Sequence, residues 1–201
     1  MEDKKYSAGG VKFSFWFAEF RKMIELLNEG YTFDEIKEKA INENLFLTPT
    51  QARAKQIYTT VSNRIKTLDK GFYQLFKTSD VSNQKLINVI AIMKSDQLFA
   101  DFVYEVYREK LLIGIDELAD SDIRIFFRDK QVQSEKVASW QDYTLKRLGA
   151  YYKTVLMEAG MIENSTSTTR KLIRPIMDKV LADHLLASDM KFYYDAVTGV
   201  R

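Results

Sequence analysis

The stretch ENLFLTPTQARAKQIYTTVSNRIKTLD, Glu43 to Asp69, carries the strongest helix-start signal in the chain and a charge pattern of one sign. Thr48 reads as the N-cap, Pro49 as the first helical residue, where a missing N–H costs nothing, and Gln51 as the reciprocal cap. Ala54, Ile57, Val61, Ile65 and Leu68 recur at spacings of three and four, predicting one helix to about Leu68 with that stripe buried. At about 100° per residue, Lys55, Thr59, Ser62 and Lys66 lie on the opposite face, with Arg53 and Arg64 flanking the stripe. Between the two acidic ends every charged side chain is basic. Lys and Arg supply most of the affinity for a phosphate backbone, and Thr and Ser hydroxyls fix register, so this face suits duplex DNA. The competing reading is a solvated face whose Arg residues pair with acids on neighbouring helices.

Working outward, Thr32-Phe33-Asp34-Glu35 is a capping box that opens a short helix ending near Asn44. Two helices joined by a short turn, the second basic on its outer face, form a helix-turn-helix-like pair. Upstream, Phe17, Phe20, Ile24 and Leu27 predict a helix over Phe13–Asn28. Four aromatics in Phe13–Phe17 cannot all face inward on one helix, which marks Phe15 and Trp16 for docking a protein partner. Residues 1–12 read as a loose leader broken at Gly9-Gly10.

Downstream, a short helix around Phe72–Phe76 precedes an apolar face of Leu86, Ile87, Ile90 and Met93. Asp96 opens DQLFADFVYEVYREKLLIG, and Asp120-Ser121-Asp122 caps a helix holding Ile123, Phe126 and Phe127. Ser139 to Ala159 forms a long helix, with Gly160 as its left-handed terminal residue. Met161–Arg174 is polar and fits either a small β-hairpin or a loop. Pro175 then starts a helix through Leu186. The fold expected is all-α, about nine helices by periodicity, with a lobe over residues 13–78 and a larger one over 79–201.

Composition narrows the function. With 30 basic and 28 acidic residues the net charge is +2, so nucleic-acid affinity must come from local clustering. The chain has no cysteine and one histidine, which removes disulfides and makes a zinc site untenable. No apolar run approaches the roughly 20 residues of a membrane span, and the charged start is no signal peptide, so a cytoplasmic protein is expected. A second basic set, Arg170, Lys171 and Arg174, has no acid from Asn164 to Met177, and on a wing-like hairpin it would grip phosphate beside the first helix. Lys146, Arg147 and Lys153 near Tyr151-Tyr152 read as core and rim. Asp101, Glu105 and Glu109 share one helix face and could hold a metal or act as acid and base, but a solvated, salt-bridged face suits the nearby Arg108 and Lys110 better. His184 reads as a surface or capping residue. No phosphate-binding glycine loop and no nucleophile–base pair is present, so neither an enzyme, a cofactor nor a small-molecule substrate is expected.

The ordered set INENLF, TPTQARAKQIYTTVSNRI, LFADFVYEVYREKL, VLMEAGMI and LIRP resembles the BrxA-like A-protein family of bacteriophage-exclusion (BREX) phage-resistance systems. The resemblance covers roughly residues 6–187 and contains no enzymatic signature. It implies an all-helical fold, related in part to NusB-type antitermination proteins. It also implies a non-catalytic, double-stranded-DNA-binding accessory protein working beside other BREX proteins. A protein-interaction scaffold and a NusB-like RNA-binding protein are the alternative readings.

Overall fold

A computed structural model describes residues 6–163 and 168–200. Helices α1 (Phe17–Asn28), α2 (Phe33–Asn42), α3 (Gln51–Ile65) and α4 (Gly71–Thr78) surround one side of α5 (Val81–Ser95). The rod that follows is α6 (Gln97–Phe102), a π-helical stretch (Val103–Arg108) and α7 (Glu109–Leu112). Then come β1 (Glu117–Ala119), α8 (Asp120–Gln133), α9 (Glu135–Ala138) and α10 (Asp142–Glu158). The chain closes with β2 (Thr169–Lys171), α11 (Lys179–Ala187) and α12 (Lys191–Thr198). This is the all-α fold that the periodicity predicts, with a small two-stranded sheet added.

The centre is α5. Its residues Leu86 through Met93 are buried without interruption, Asn88 included, because α1, α3, α4, α6 and α12 enclose it on all sides. One cluster of buried side chains runs from Tyr6 to Val197. Helix ends follow local chemistry where the sequence signals were strong. Thr32 and Glu35 form the reciprocal capping box, with Thr32 N–H donating to Glu35 at 2.7 Å and Glu35 N–H donating to Thr32 at 3.3 Å. At the end of α10, Gly160 (φ 76°) lets Gly160 N–H reach Met157 O at 3.0 Å and Met161 N–H reach Leu156 O at 2.8 Å.

Elsewhere the boundaries differ from the local signals. The N-cap of α3 is Thr50, whose hydroxyl accepts from Arg53 N–H at 3.2 Å, not Thr48. Thr48 is held instead by Asn44, which accepts from Thr48 N–H (2.8 Å) and donates to Thr48 O (3.0 Å), so Pro49 stays in the loop. Pro175 does not start a helix either. Ile173 N–H donates to Met161 O and Leu172 N–H to Asp116 O, so the chain is extended there and α11 begins at Lys179. Of the hairpin and the loop that both fit Met161–Arg174, the structure has the Ile162–Leu172 bridge, and the neighbouring Thr169–Lys171 pairs antiparallel with β1, which the sequence did not announce. The loop residues Asn164–Ser167 lie outside the described residues. Asp101 departs from the solvated acidic face expected of it. It is buried, accepts from Tyr6 OH at 2.6 Å, and pairs at 3.2 Å with the buried Lys130 of α8, which also reaches Glu105 at 2.7 Å.

Ahead of α1 a 3-10 turn at Gly9–Lys12 is followed by a non-helical strap to Trp16. Trp16 sits at φ 49° and α1 starts only at Phe17, so Phe15 and Trp16 turn into the core instead of crowding one helix face. Arg64 of α3 holds this segment down. Its guanidinium donates to Phe15 O (2.9 Å), Ser14 O (2.9 Å) and Tyr151 OH (3.1 Å), while Asn88 of α5 donates to the same Phe15 O at 3.0 Å. One planar side chain thus joins α3, α10 and the strap ahead of α1. Nearby, Asp96 caps α6 by accepting from Leu98 N–H and Phe99 N–H, both at 3.1 Å. Desolvation raises its pKa from 3.8 to about 6, against the pull of those N–H groups and of Arg64.

Two outcomes follow. Arg64→Met leaves Ser14 O and Tyr151 OH without their buried donor and should cost on the order of 3 kcal/mol in denaturant unfolding. Arg64→Lys should recover little of it, since one ammonium cannot span three acceptors; full stability in either variant contradicts the role. Asp96 holds a proton in the folded chain that the unfolded chain releases between about pH 4 and 6, so its contribution to stability falls as pH rises through that window. Asp96→Asn should therefore gain on the parent between pH 4 and pH 7 in chemical denaturation, and a difference that is flat with pH would contradict the shift.

Candidate nucleic-acid interface

Helix α3 buries Ala54, Ile57, Tyr58, Val61 and Ile65 against α1, α2 and α5. What remains outside is a ridge of Ala52, Lys55, Thr59, Asn63 and Lys66, all exposed. These five follow one another at helical spacing, so their side chains project from one line along the helix. Lys55 makes no ion pair among the described residues. Lys66 is the C-cap residue, and its ammonium lies 4.8 Å from the centre of the Phe33 ring, a contact that leaves its donors facing water. Cations with no acid to satisfy them, beside hydroxyl and amide groups, present donors only toward an anion.

The other expected contacts divide. Ser62 is 2% exposed, and its hydroxyl donates back to Thr59 O at 3.2 Å. Next to it α2 packs on α3, with Tyr58 OH donating to Phe33 O at 2.7 Å. Arg64 is also 2% exposed and is spent on the strap. Neither faces solvent, so both leave the candidate surface. Arg53 is half-buried, stacked 5.1 Å over the Trp16 ring and donating to Gln56 at 2.9 Å, beside the ridge but not on it. Asn63 is the ridge residue the sequence reading passed over, although it falls four residues after Thr59 on the same line.

Alongside the ridge runs an open cleft of about 510 Å³, lined by Lys55, Thr59 and Asn63 on one wall and by Ser7, Gly9 and Gly10 on the other. Gly10 permits this wall, since a Cβ there would stand 3.0 Å from the Tyr151 ring. Gln56 Nε2 donates to Lys12 O at 3.3 Å and Arg147 donates to Val11 O at 2.8 Å, clamping the strap between α3 and α10.

The second basic set does not join the first. Arg170 pairs with Asp120 at 2.8 Å, the acid that also takes Lys153 at 2.9 Å, and together they hold the Asp120 carboxyl below its usual range despite partial burial. Arg174 is exposed and donates to Leu111 O at 3.2 Å, and Lys171 is exposed on β2. Their contacts are to α7, α8 and β1 rather than to α3. Phe15 and Trp16, 0% and 8% exposed, are core residues and offer no surface to a partner. His184 lies against Asp69 (3.2 Å) and edge-on to Phe72 (4.6 Å between centres), tying α11 to α4. Among the described residues no group of three or more His, Asp or Glu side chains is placed to hold a metal ion. No helix among them is long and apolar enough to cross a membrane.

Comparison with known proteins places this geometry in a family. The family model described as BrxA matches residues 4–189. A Bacillus cereus protein named BREX protein BrxA is 40% identical over 183 residues, 91% of each chain. A Paramagnetospirillum magneticum protein of the same name is 25% identical over 87% of each chain. A solved protein from Magnetospirillum magneticum, described as uncharacterized, superposes with a TM-score of 0.80 over 98% of this chain and 100% of its own, at 20% identity, which speaks to the fold alone. The chain belongs to the BrxA family.

Proposed function

We propose that this protein is a cytoplasmic, non-catalytic component of a BREX phage-defence system that docks on the phosphate backbone of double-stranded DNA through the exposed ridge of α3. The system assignment rests on the relatives named BREX protein BrxA, of which one is 40% identical over nearly the whole chain. The observation that carries the DNA reading is the ridge, where Lys55 and Lys66 lie on one helical line with Thr59 and Asn63 between them and no acid on that line. In a helix-turn-helix-like arrangement α2 would brace α3 while α3 meets the duplex. Contacts from two Lys, a hydroxyl and an amide favour register on the backbone over the reading of base edges. Lys171 and Arg174, exposed but distant in contact from α3, extend the footprint only if the duplex also reaches the small sheet.

Fluorescence anisotropy on labelled duplexes of unrelated sequence tests this, with structured RNA alongside. Affinity should fall steeply with salt. Lys55→Glu with Lys66→Glu should flatten the log–log salt slope by about 1.8, two contacts at about 0.9 each, and weaken binding to every duplex by at least about tenfold. The melting temperature should stay within about 2 °C of the parent, because both side chains are exposed. Unchanged affinity in the double variant, or preference for structured RNA over duplex, contradicts the proposal.

A further inference from the structure

Helices α8 and α10 meet around an open groove of about 610 Å³ that the DNA reading does not use. Its floor is Ile123 and Phe127 from α8 and Leu145 and Gly149 from α10. Gly149 sets the spacing, because a Cβ there would come within 2.9 Å of Ile123 Cγ2, and the small, exposed Ala150 lines the groove beside it. Arg124 and Arg128 line one rim and Lys146 the other, all three exposed and, among the described residues, without an ion pair or a side-chain hydrogen bond. The acids nearby do not balance them, since Asp120 is already held by Lys153 and Arg170, leaving Asp142 alone at the mouth. Apolar side chains continue past the rim, with Ile125 45% exposed, Val132 85% and Tyr143 65%.

We infer that this groove docks an acidic, amphipathic segment of a partner protein, its carboxylates on Arg124, Arg128 and Lys146 and its apolar side chains on the Ile123–Phe127–Leu145 floor. Charge complementarity sets the sign of the partner, and the floor sets its class. A duplex backbone carries phosphates but nothing apolar to fill a floor of Ile, Phe and Leu. An acidic helix with one apolar stripe satisfies rim and floor together.

The probe is a fluorescein-labelled synthetic helix of about 18 residues with Leu at core-facing spacing and Glu elsewhere, compared with the same peptide carrying Lys for Glu. Binding to the full chain is read by anisotropy. The Glu peptide should bind and the Lys peptide should not. Arg124→Glu with Arg128→Glu should weaken the Glu peptide at least about tenfold, and Ala150→Phe, which fills the groove without changing charge, should do the same. Both variants should keep the parent's duplex-DNA affinity, while Lys55→Glu with Lys66→Glu should keep its peptide affinity, which separates failure here from failure of the DNA reading. No binding of the Glu peptide, or binding indifferent to both groove variants, overturns the inference. So does a loss of duplex-DNA affinity in the charge-reversal variant with peptide binding intact, which would assign the groove to nucleic acid.

Discussion

The guanidinium of Arg64 is the interaction on which the arrangement of this protein depends. It leaves the most basic helix in the chain and turns inward, where it holds two successive carbonyls of the strap and the hydroxyl of Tyr151. Burying such a group is costly, and desolvation works against its charged form. Three acceptors in a plane offset that cost and fix geometry that apolar packing alone would leave free. The strap is thereby seated between α3 and α10, Phe15 and Trp16 enter the core, and the outer line of α3 is left clear of other chain segments. The exposed line of α3 therefore carries Lys55 and Lys66 but not Arg64.

Periodicity and caps made most of the helices legible. The Thr32 box, the Gly160 terminus and the buried stripe of α3 are local patterns whose partners lie within four or five residues, and each formed as its chemistry requires. Thr48 and Pro49 look like a helix start, but Asn44, four residues back, captures Thr48 and leaves the cap to Thr50. What else could not be read depends on distant residues. Phe13–Phe17 looks like a helix with one face too many, but Arg64 and Asn88 bond the Phe15 carbonyl and α1 starts only at Phe17. Pro175 follows a strand that is committed to β1, some fifty residues earlier in the chain.

The candidate site shows the same division. Lys55, Thr59 and Lys66 follow from helical phase alone, and the structure leaves them exposed. Phase also puts Ser62 on that face, but tertiary packing, which no local pattern encodes, buries it. Asp101 was read as one of a solvated row because its partners, Tyr6 and Lys130, stand 95 and 29 residues away. The basic rim of α8 and α10 was hidden for a related reason. Arg124 and Arg128 sit among acids in the sequence and join Lys146 in a cationic groove only when the two helices are laid together and Arg170 and Lys153 neutralise Asp120.

Backbone amide shifts of the ¹⁵N-labelled protein, titrated with a short duplex of arbitrary sequence at low salt, test the central claim most directly. The account predicts changes centred on Ala52, Lys55, Thr59, Asn63 and Lys66 that fade as salt is raised, with the buried positions Arg64, Phe15 and Trp16 following only weakly. Shifts that avoid α3 while a duplex is bound elsewhere, or a spectrum that the duplex leaves unchanged, would contradict it.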